Sequence, residues 1–371
     1  MIKLSKSSVG KEEKTALNRV ISNSYLGMGP EVEKFEKELQ NYLRTSKKVT
    51  AVSSGTAALH LSLQACDINS KHEVLVPSIT YVASFQAISA SGARPVACDI
   101  DVNTGFIDIS DAEKRITSRT RAIMPVHYAS SAGKMYEVYK FAKKNNLRVI
   151  EDAAHSFGSY LDKNMVGYKG DIVCFSFDGI KNITCGEGGA ILTADKKVLS
   201  KIKDIRLLGV KGDSAKRYSK SRSWKFNVID QGWRYHLSDL LAAIGREQLK
   251  KIDIFREKRK KIVDSYLLNL KKVEGLDLLK INYEENLQHI FPIRISGGKR
   301  DALKSFLEKK GIQTGIHYQP NHLLKKYRSK YKLKNSEIFG KEILSIPLHT
   351  DLTNKDIRRV VSSIKLFFLQ N

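Results

Sequence analysis

From about residue 49 to residue 194 the chain alternates short apolar stretches with segments of helical periodicity. This alternation predicts a mostly parallel central sheet wrapped by helices, which places the chain in the α/β class. In an open sheet of this class, ligands bind beyond the carboxyl ends of the strands. The residues that follow each apolar stretch are therefore the first place to look for a functional site.

A longer helical pattern runs from residue 238 to about residue 270 and leads away from the predicted sheet. The region after it, which glycines punctuate, has the pattern of a smaller α/β unit. A chain of 371 residues is long enough for both units. We therefore predict a large domain at residues 1–250, which includes the N-terminal segment, and a small C-terminal domain at residues 251–371.

Lys181 lies between an apolar stretch at residues 172–177 and a glycine-rich turn at residues 186–189. A strand of this composition is expected to be buried, so the lysine emerges at the edge of a core. Desolvation lowers the pKa of an amine and makes it a better nucleophile, as a Schiff base with an aldehyde cofactor requires. Since the chain has 64 lysines and arginines, most of them surface charges, this lysine is not decisive alone.

Two carboxylates, Glu151 and Asp152, follow another apolar stretch at residues 147–150. At the carboxyl end of a strand, Asp152 is placed to hold a pyridine nitrogen protonated and so to make the ring an electron sink. A helix N-cap before Ala153 and Ala154 is an equally ordinary use of an aspartate at this position.

Small hydroxylated residues precede a helical pattern at Ser54, Gly55 and Thr56, and this sequence is typical of a phosphate cradle at a helix start. An ordinary helix cap fits the same residues. Tyr81 follows an apolar stretch and is placed to stack on a planar ring, although a core tyrosine fits there too.

Together and in this order, these elements resemble the DegT/DnrJ/EryC1/StrS family of sugar aminotransferases, which depend on pyridoxal 5′-phosphate. The resemblance runs nearly end to end, from residues 26–36 through residues 125–128 to residues 346–349. It implies the aspartate-aminotransferase-like fold type I, with a large domain around a mostly parallel sheet and a smaller C-terminal α/β domain.

By this resemblance Lys181 is the lysine that holds the cofactor and moves the proton, and Asp152 pairs with the pyridinium nitrogen. His155 stands where the family has Gln or His beside the phenolic oxygen of the cofactor. The other cofactor-binding residues that the resemblance implies are the cradle residues Ser54, Gly55, Thr56 and Ser176 and the ring-stacking Tyr81.

One segment departs from the family pattern. The family has an Asn that reaches the phosphate of the partner subunit's cofactor, and Arg234 stands in its place here, with His236 in place of a following Arg. A guanidinium binds phosphate through two parallel hydrogen bonds, so the substitution is compatible with the same contact. A surface arginine facing solvent is the alternative. The shared sites of the family imply a homodimer.

The resemblance also indicates substrate contacts. His317 and Tyr318 match a His-Tyr pair near the sugar pocket, and Tyr25 belongs to an N-terminal segment that approaches the same site. For His317 an ordinary loop histidine is the alternative. Residues 211–225, rich in Lys, Arg and Ser, are predicted to form a mobile basic loop that covers the substrate or is disordered.

The function that follows is a two-stage amino transfer through pyridoxamine 5′-phosphate, from a donor that the family indicates is L-glutamate to a keto sugar. We expect a nucleotide-linked keto-deoxy sugar in bacterial surface polysaccharide synthesis, such as lipopolysaccharide O-antigen, or in another unusual-sugar pathway. An oxidised octulosonic sugar acid is an alternative acceptor. A sugar dehydratase is disfavoured because such relatives carry His in place of the lysine, and a non-enzymatic regulator is the remaining alternative.

The net charge of +25 raises the question of nucleic-acid binding. The lysines are spread along the chain without a reader motif, so we predict solvated helix faces and no nucleic-acid partner, with a positive field that attracts anionic substrates. The four cysteines lack metal-site spacing, and we predict no metal. Without a signal peptide or an apolar run of membrane length, the sequence predicts a cytoplasmic enzyme that does not engage the membrane.

Overall fold

The computed structural model describes residues 1–221 and 224–370. Its helices in these ranges are α1 Lys11–Ser22, α2 Pro30–Tyr42, α3 Gly55–Ala65, α4 Val82–Ala90, α5 Ile109–Glu113, α6 Met135–Lys144, α7 Lys196–Ile205, α8 Asp213–Tyr218, α9 Asp239–Lys250, α10 Ile252–Leu270, α11 Arg300–Lys309, α12 Lys334–Glu342 and α13 Asn354–Gln370. The strands are β1 Lys48–Val52, β2 Glu73–Pro77, β3 Arg94–Cys98, β4 Thr120–Ile123, β5 Arg148–Asp152, β6 Tyr160–Leu161, β7 Asn164–Met165, β8 Ile172–Ser176, β9 Gly189–Thr193, β10 Leu276–Leu278, β11 Phe291–Ile295 and β12 Ile343–Ile346.

Seven strands form the central sheet in the order β1-β9-β8-β5-β4-β2-β3. The strands from β8 to β3 are parallel to their neighbours, whereas β9 is antiparallel to both β8 and β1. The predicted α/β class with a mostly parallel sheet is therefore confirmed. Since β9 reverses direction between them, β1 and β8 run the same way, and the carboxyl ends of β1, β2, β5 and β8 share one edge.

Both faces of this sheet are covered, which explains why its strands are apolar runs without alternation. Side chains of a strand point alternately to opposite faces. Val173 and Phe175 of β8 accordingly pack into a core with α2 and α6, whereas Ile172 and Cys174 pack into another core with α3, α4 and α7.

The helical pattern predicted from residue 238 to residue 270 forms two helices, not one. α9 begins after Ser238, which caps it, and ends at Lys251, whose N–H bonds the carbonyl of Gln248 three residues back. That tighter turn lets α10 leave in a new direction. The ammonium of Lys251 lies 2.7 Å from Oε1 of Glu13 and 2.9 Å from Oε2 of Glu12, so α1 is held at the break.

Strands β10, β11 and β12 form a separate antiparallel sheet that packs with α10, α11 and α13. The N-terminal segment joins this second core through Ile2, which bridges Ile312. It then passes Leu348, whose N–H donates to the carbonyl of Leu4 at 3.0 Å. Its Ser7 hydroxyl donates to the carbonyl of Gly179, so the segment crosses from the small sheet to the turn before Lys181.

The basic loop predicted at residues 211–225 is in part a helix, α8, so the prediction of a loop is wrong there. Arg222 and Ser223 lie outside the described residues. Across the described ranges, the helices are too short or too polar to cross a membrane.

Candidate active site

A cavity of about 440 Å³ opens at the shared carboxyl edge of the central sheet. Of the residues predicted from the sequence, those that line it are Ser54, Gly55, Thr56, Tyr81, Asp152, His155, Ser176, Lys181, His317 and Tyr318. They come from positions more than 260 residues apart, and the fold brings them to one site.

Lys181 lies in the turn after β8, where its N–H donates to the carbonyl of Asp178 at 3.1 Å. Its Nζ is 3.4 Å from Nε2 of His289. Burial lowers the pKa of the Lys181 amine, and the carboxylates of Asp178 and Asp152 oppose that shift. The direction agrees with the sequence argument that a lysine at the edge of a core gives up its proton more readily.

Asp152 ends β5 and is buried. Its Oδ2 accepts a hydrogen bond from the Ser84 hydroxyl at 2.7 Å, and its Oδ1 lies 3.3 Å from the N–H of Ala154. The Ser84 hydroxyl is itself 2.8 Å from that of Thr80. No helix begins after Asp152, so the alternative of a helix cap is excluded and the carboxylate is held at the cavity wall.

The start of α3 forms the other end of the cavity. Ser54 Oγ accepts the N–H of Ala57 at 3.0 Å, so Ser54 is a helix cap, as the ordinary alternative predicted. This cap leaves the N–H groups of Gly55 and Thr56 as free donors of the first turn. A Cβ on Gly55 would lie 2.8 Å from Cβ of Ser176, so only glycine allows this approach. Free donors beside a hydroxyl at a helix start suit an anion.

Imidazole and phenol groups line the wall near Lys181. Nε2 of His155 lies 3.0 Å from the Tyr318 hydroxyl, and the His155 ring is 4.7 Å from the ring of His289. Burial, reinforced by the charge of Lys181, lowers the pKa of His155 and His289 well below the usual value and that of His317 to about 4. These imidazoles are therefore neutral at physiological pH.

Tyr81 stands at the mouth of the cavity, where it opens α4 and is 61% exposed. Its ring centroid is 5.8 Å from that of Tyr318. A tyrosine this exposed is not a core residue, so that alternative is excluded. The backbone next to Tyr318 is fixed in turn, because the hydroxyl of Tyr128 donates to the carbonyl of His317.

Two predicted residues do not reach the cavity within one chain. Arg234 has an exposed side chain, while its backbone bridges Leu207. The Tyr25 hydroxyl donates to the carbonyl of Met28 at 3.2 Å, and its ring lies beside Gly29. The roles assigned to both residues remain predictions.

Sequence reasoning missed Ser84, Asp178, Glu187 and His289. Asp178 and Glu187 line the cavity, and burial together with the charge of Asp178 raises the pKa of Glu187. The only local signal for His289 is its place one residue before the apolar run 290–293, which does not separate it from other histidines of the chain.

A mostly parallel α/β sheet covered on both faces, with a cavity at its carboxyl edge, is the architecture of the fold type I aminotransferases. The chain belongs to the DegT/DnrJ/EryC1/StrS aminotransferase family, whose model matches residues 7–365. Members of this family use pyridoxal phosphate, and the chain is a sugar aminotransferase that depends on this cofactor.

Known proteins resemble the chain over nearly its full length. The uncharacterized protein MJ1066 of Methanocaldococcus jannaschii is 36% identical over 98% of this chain and 96% of its own. Helicobacter pylori PseC, an aminotransferase involved in the biosynthesis of pseudoaminic acid, is 28% identical with a TM-score of 0.91 over both complete chains. The putative sugar aminotransferase Spr1654 of Streptococcus pneumoniae, solved in PMP and PLP forms, is 25% identical with a TM-score of 0.92 over 100% of this chain and 98% of its own for the PMP form.

Proposed function

We propose that this enzyme transfers an amino group from L-glutamate to a nucleotide-linked keto-deoxy sugar, with Lys181 as the catalytic lysine. The observation that carries the proposal is the meeting of Lys181, the fixed carboxylate of Asp152 and the anion cradle of α3 at one cavity. Amino transfer needs these three groups: a nucleophilic amine, a partner for a pyridinium nitrogen and a phosphate site.

The residues present fit pyridoxal phosphate. The cavity volume of about 440 Å³ lies in the range of small-molecule sites. The missing Cβ of Gly55 leaves room beside Ser176 for a phosphate group. Nδ1 of His155 is buried and has no hydrogen-bond partner among the described residues, so this wall has a polar atom to offer. When bound, the cofactor supplies an electron sink for the reaction.

Each residue then has a stated task. Asp152 keeps the pyridine nitrogen protonated, and Ser84 keeps the Asp152 carboxylate in place. Lys181 Nζ takes the proton from the α-carbon of the donor, and it supplies a proton again when the acceptor is aminated. Tyr81 covers the ring and His155 meets the phenolic oxygen. The phosphate would be bound by Ser54, Gly55, Thr56 and Ser176.

The acceptor sugar would contact the walls farther from α3. We assign His317 and Tyr318 to it because both line the cavity near Lys181. Tyr25 is assigned to the same site through the partner subunit, since it does not line the cavity of its own chain. We propose that Arg234 likewise binds the phosphate of the cofactor in the partner subunit. Its side chain is exposed on its own chain, as this contact requires. Both assignments require a homodimer.

The setting we propose is unusual-sugar synthesis, and the likeness to an aminotransferase of pseudoaminic acid biosynthesis supports it. We also propose that the enzyme acts in surface polysaccharide synthesis and that it is cytoplasmic.

We further propose that the chain divides into a large domain at residues 1–250 and a small domain at residues 251–371. The junction of α9 and α10 at Lys251 supports this division.

The first test compares absorbance spectra of the protein and of Lys181→Ala with pyridoxal phosphate, before and after L-glutamate. We expect a band near the visible edge that glutamate converts to the pyridoxamine form only when Lys181 is present. Incubation of the loaded protein with nucleotide-linked keto-deoxy sugars should then restore the band and give an amino sugar detectable by mass spectrometry.

Lys47 offers a matched control. It is another buried lysine, with a pKa lowered to about 8 by burial, but it lies outside the cavity and donates to the carbonyl of Gly167 at 3.2 Å. Lys47→Met should keep the spectral change. A full half-reaction in Lys181→Ala would refute the role of Lys181, and conversion of an oxidised octulosonic acid in place of every nucleotide sugar would refute the proposed acceptor.

A further inference from the structure

His289 touches the reactive amine, although nothing in its sequence surroundings marks it. It lies two residues before β11, its ring is buried, and its Nε2 is 3.4 Å from Nζ of Lys181. The ring packs at 4.7 Å from that of His155, tilted by 52°. With Nε2 as the acceptor, Nδ1 carries the hydrogen, and Nδ1 has no partner among the described residues.

The backbone around this histidine is held from two sides. The guanidinium of Arg259, on α10, donates to the carbonyls of Gln288 at 3.0 Å and His289 at 3.3 Å. The His289 N–H donates to the Ser130 hydroxyl at 2.8 Å. Arg259 is buried, and its guanidinium binds carbonyls of this turn. Such fixed backbone gives the imidazole one position relative to Lys181.

The charges around the pair keep the imidazole neutral. Burial, Lys181, His155, Arg259 and His317 all oppose a proton on His289. On the lysine, burial opposes the ammonium form, while Asp178 and Asp152 favour it. A carboxylate at position 289 would add a third negative charge and hold the proton on Lys181, whereas an imidazole accepts the hydrogen bond without this effect.

We propose that His289 is a positioning residue for Lys181, whose Nε2 accepts the hydrogen bond that fixes the position of the amine without adding a negative charge beside it. The inference rests on the proposed role of Lys181. It explains why a buried histidine is held so firmly two residues before an apolar strand. It also gives the lysine a fixed partner to return to after each proton transfer.

The test compares two variants of equal shape, His289→Asn and His289→Asp, in the full chain. Both shorten the side chain in the same way and differ in charge alone. The measurement is the pH dependence of adduct formation with pyridoxal phosphate, followed by absorbance. We expect the midpoint of His289→Asp to lie about one pH unit or more above that of His289→Asn, because an opposite charge at this distance stabilises the ammonium.

His289→Leu removes the acceptor, so its adduct should form more slowly than that of His289→Asn even at a pH where the amine is neutral. His322→Gln is the matched control, since His322 is also buried but bonds Ser78 and Glu337 away from Lys181. Circular dichroism and thermal unfolding verify that each variant folds, and the pair His289→Gln and His289→Glu replaces the Asn and Asp pair if either of those does not.

Equal midpoints for the Asn and Asp variants would overturn the proposal, and so would an unchanged rate in His289→Leu. Its failure is distinguishable from failure of the proposed function. If the wild-type protein forms no adduct with pyridoxal phosphate at any pH, the role of Lys181 is lost as well. If the wild type and Lys47→Met form it and the two position-289 variants titrate alike, only the role of His289 is lost.

Discussion

At the scale of single residues, the cavity depends as much on a missing side chain as on those present. Gly55 begins α3 against Ser176, and its missing Cβ is what brings the free N–H donors of the helix and the serine hydroxyl together. An added methyl group here would collide with the Ser176 side chain and separate the two.

We predict that Gly55→Ala weakens the binding of pyridoxal phosphate about tenfold or more. The new Cβ would stand 2.8 Å from Cβ and 3.0 Å from Oγ of Ser176, and overpacking of this kind costs about 1–3 kcal/mol. Gly27→Ala is the control, since a Cβ there meets no atom within 4 Å. Fluorescence titration measures both affinities, and equal values would show that the cradle does not hold the phosphate.

Two of the residues found from the sequence share one property. Lys181 and Asp152 each follow an apolar strand, so a local pattern places them at the carboxyl edge of the sheet. His289 precedes its strand, and its contact with Lys181 joins positions 108 residues apart. No periodicity or spacing records such a contact, because it is set by how α10 and the small sheet pack against the large one.

At the scale of elements, a buried arginine joins three of them. Arg206, which follows α7, donates through one nitrogen to Oε1 of Glu36 on α2 and to the carbonyl of Ala51 on β1, both at 2.7 Å. Its other terminal nitrogen donates to the Tyr218 hydroxyl of α8 at 2.6 Å. This network holds α8, the helical part of the basic segment, against α2 and against β1, the strand that precedes Ser54.

Arg206→Met should therefore destabilise the fold by about 3–5 kcal/mol, because it leaves the carboxylate of Glu36 buried without its cation. Urea unfolding measures the loss. In the double variant with Glu36→Gln we expect part of the stability to return. Arg19→Met, which removes a half-exposed partner of Glu31, should cost about 1 kcal/mol or less. Equal losses in the two arginine variants would contradict this account.

The element boundaries show where local patterns are insufficient. The pattern from residue 238 to residue 270 is continuous as a helical period, yet the chain breaks it at Lys251. At the break, Glu12 and Glu13 of α1 bind the ammonium of Lys251, a tertiary contact between segments far apart in the sequence. A one-dimensional pattern contains the period of a helix but not the position of its neighbours.

At the scale of the whole molecule, the proposal that Arg234 completes the partner's site can be tested by mixing inactive variants. Lys181→Ala and Arg234→Ala should each lose activity alone. Heterodimers of the two contain one intact site, so random reassociation of equal amounts should restore about a quarter of wild-type activity. Full activity of Arg234→Ala alone would show that the residue is a surface arginine, and no recovery on mixing would place it within its own chain's site.

The reversed strand β9 affects the order in which the central sheet can form while the chain is synthesised. Among the described strands of the central sheet β1 pairs only with β9, so the strand before Ser54 has no strand partner while β2, β3, β4, β5 and β8 are synthesised. At about 5–20 residues per second, this wait is on the order of ten seconds. Lys181 lies between β8 and β9 and leaves the ribosome during the last of it. Lys181 and the turn at Ser54 are thus brought together by one late event, and we expect a nascent chain truncated before β9 to lack the cavity.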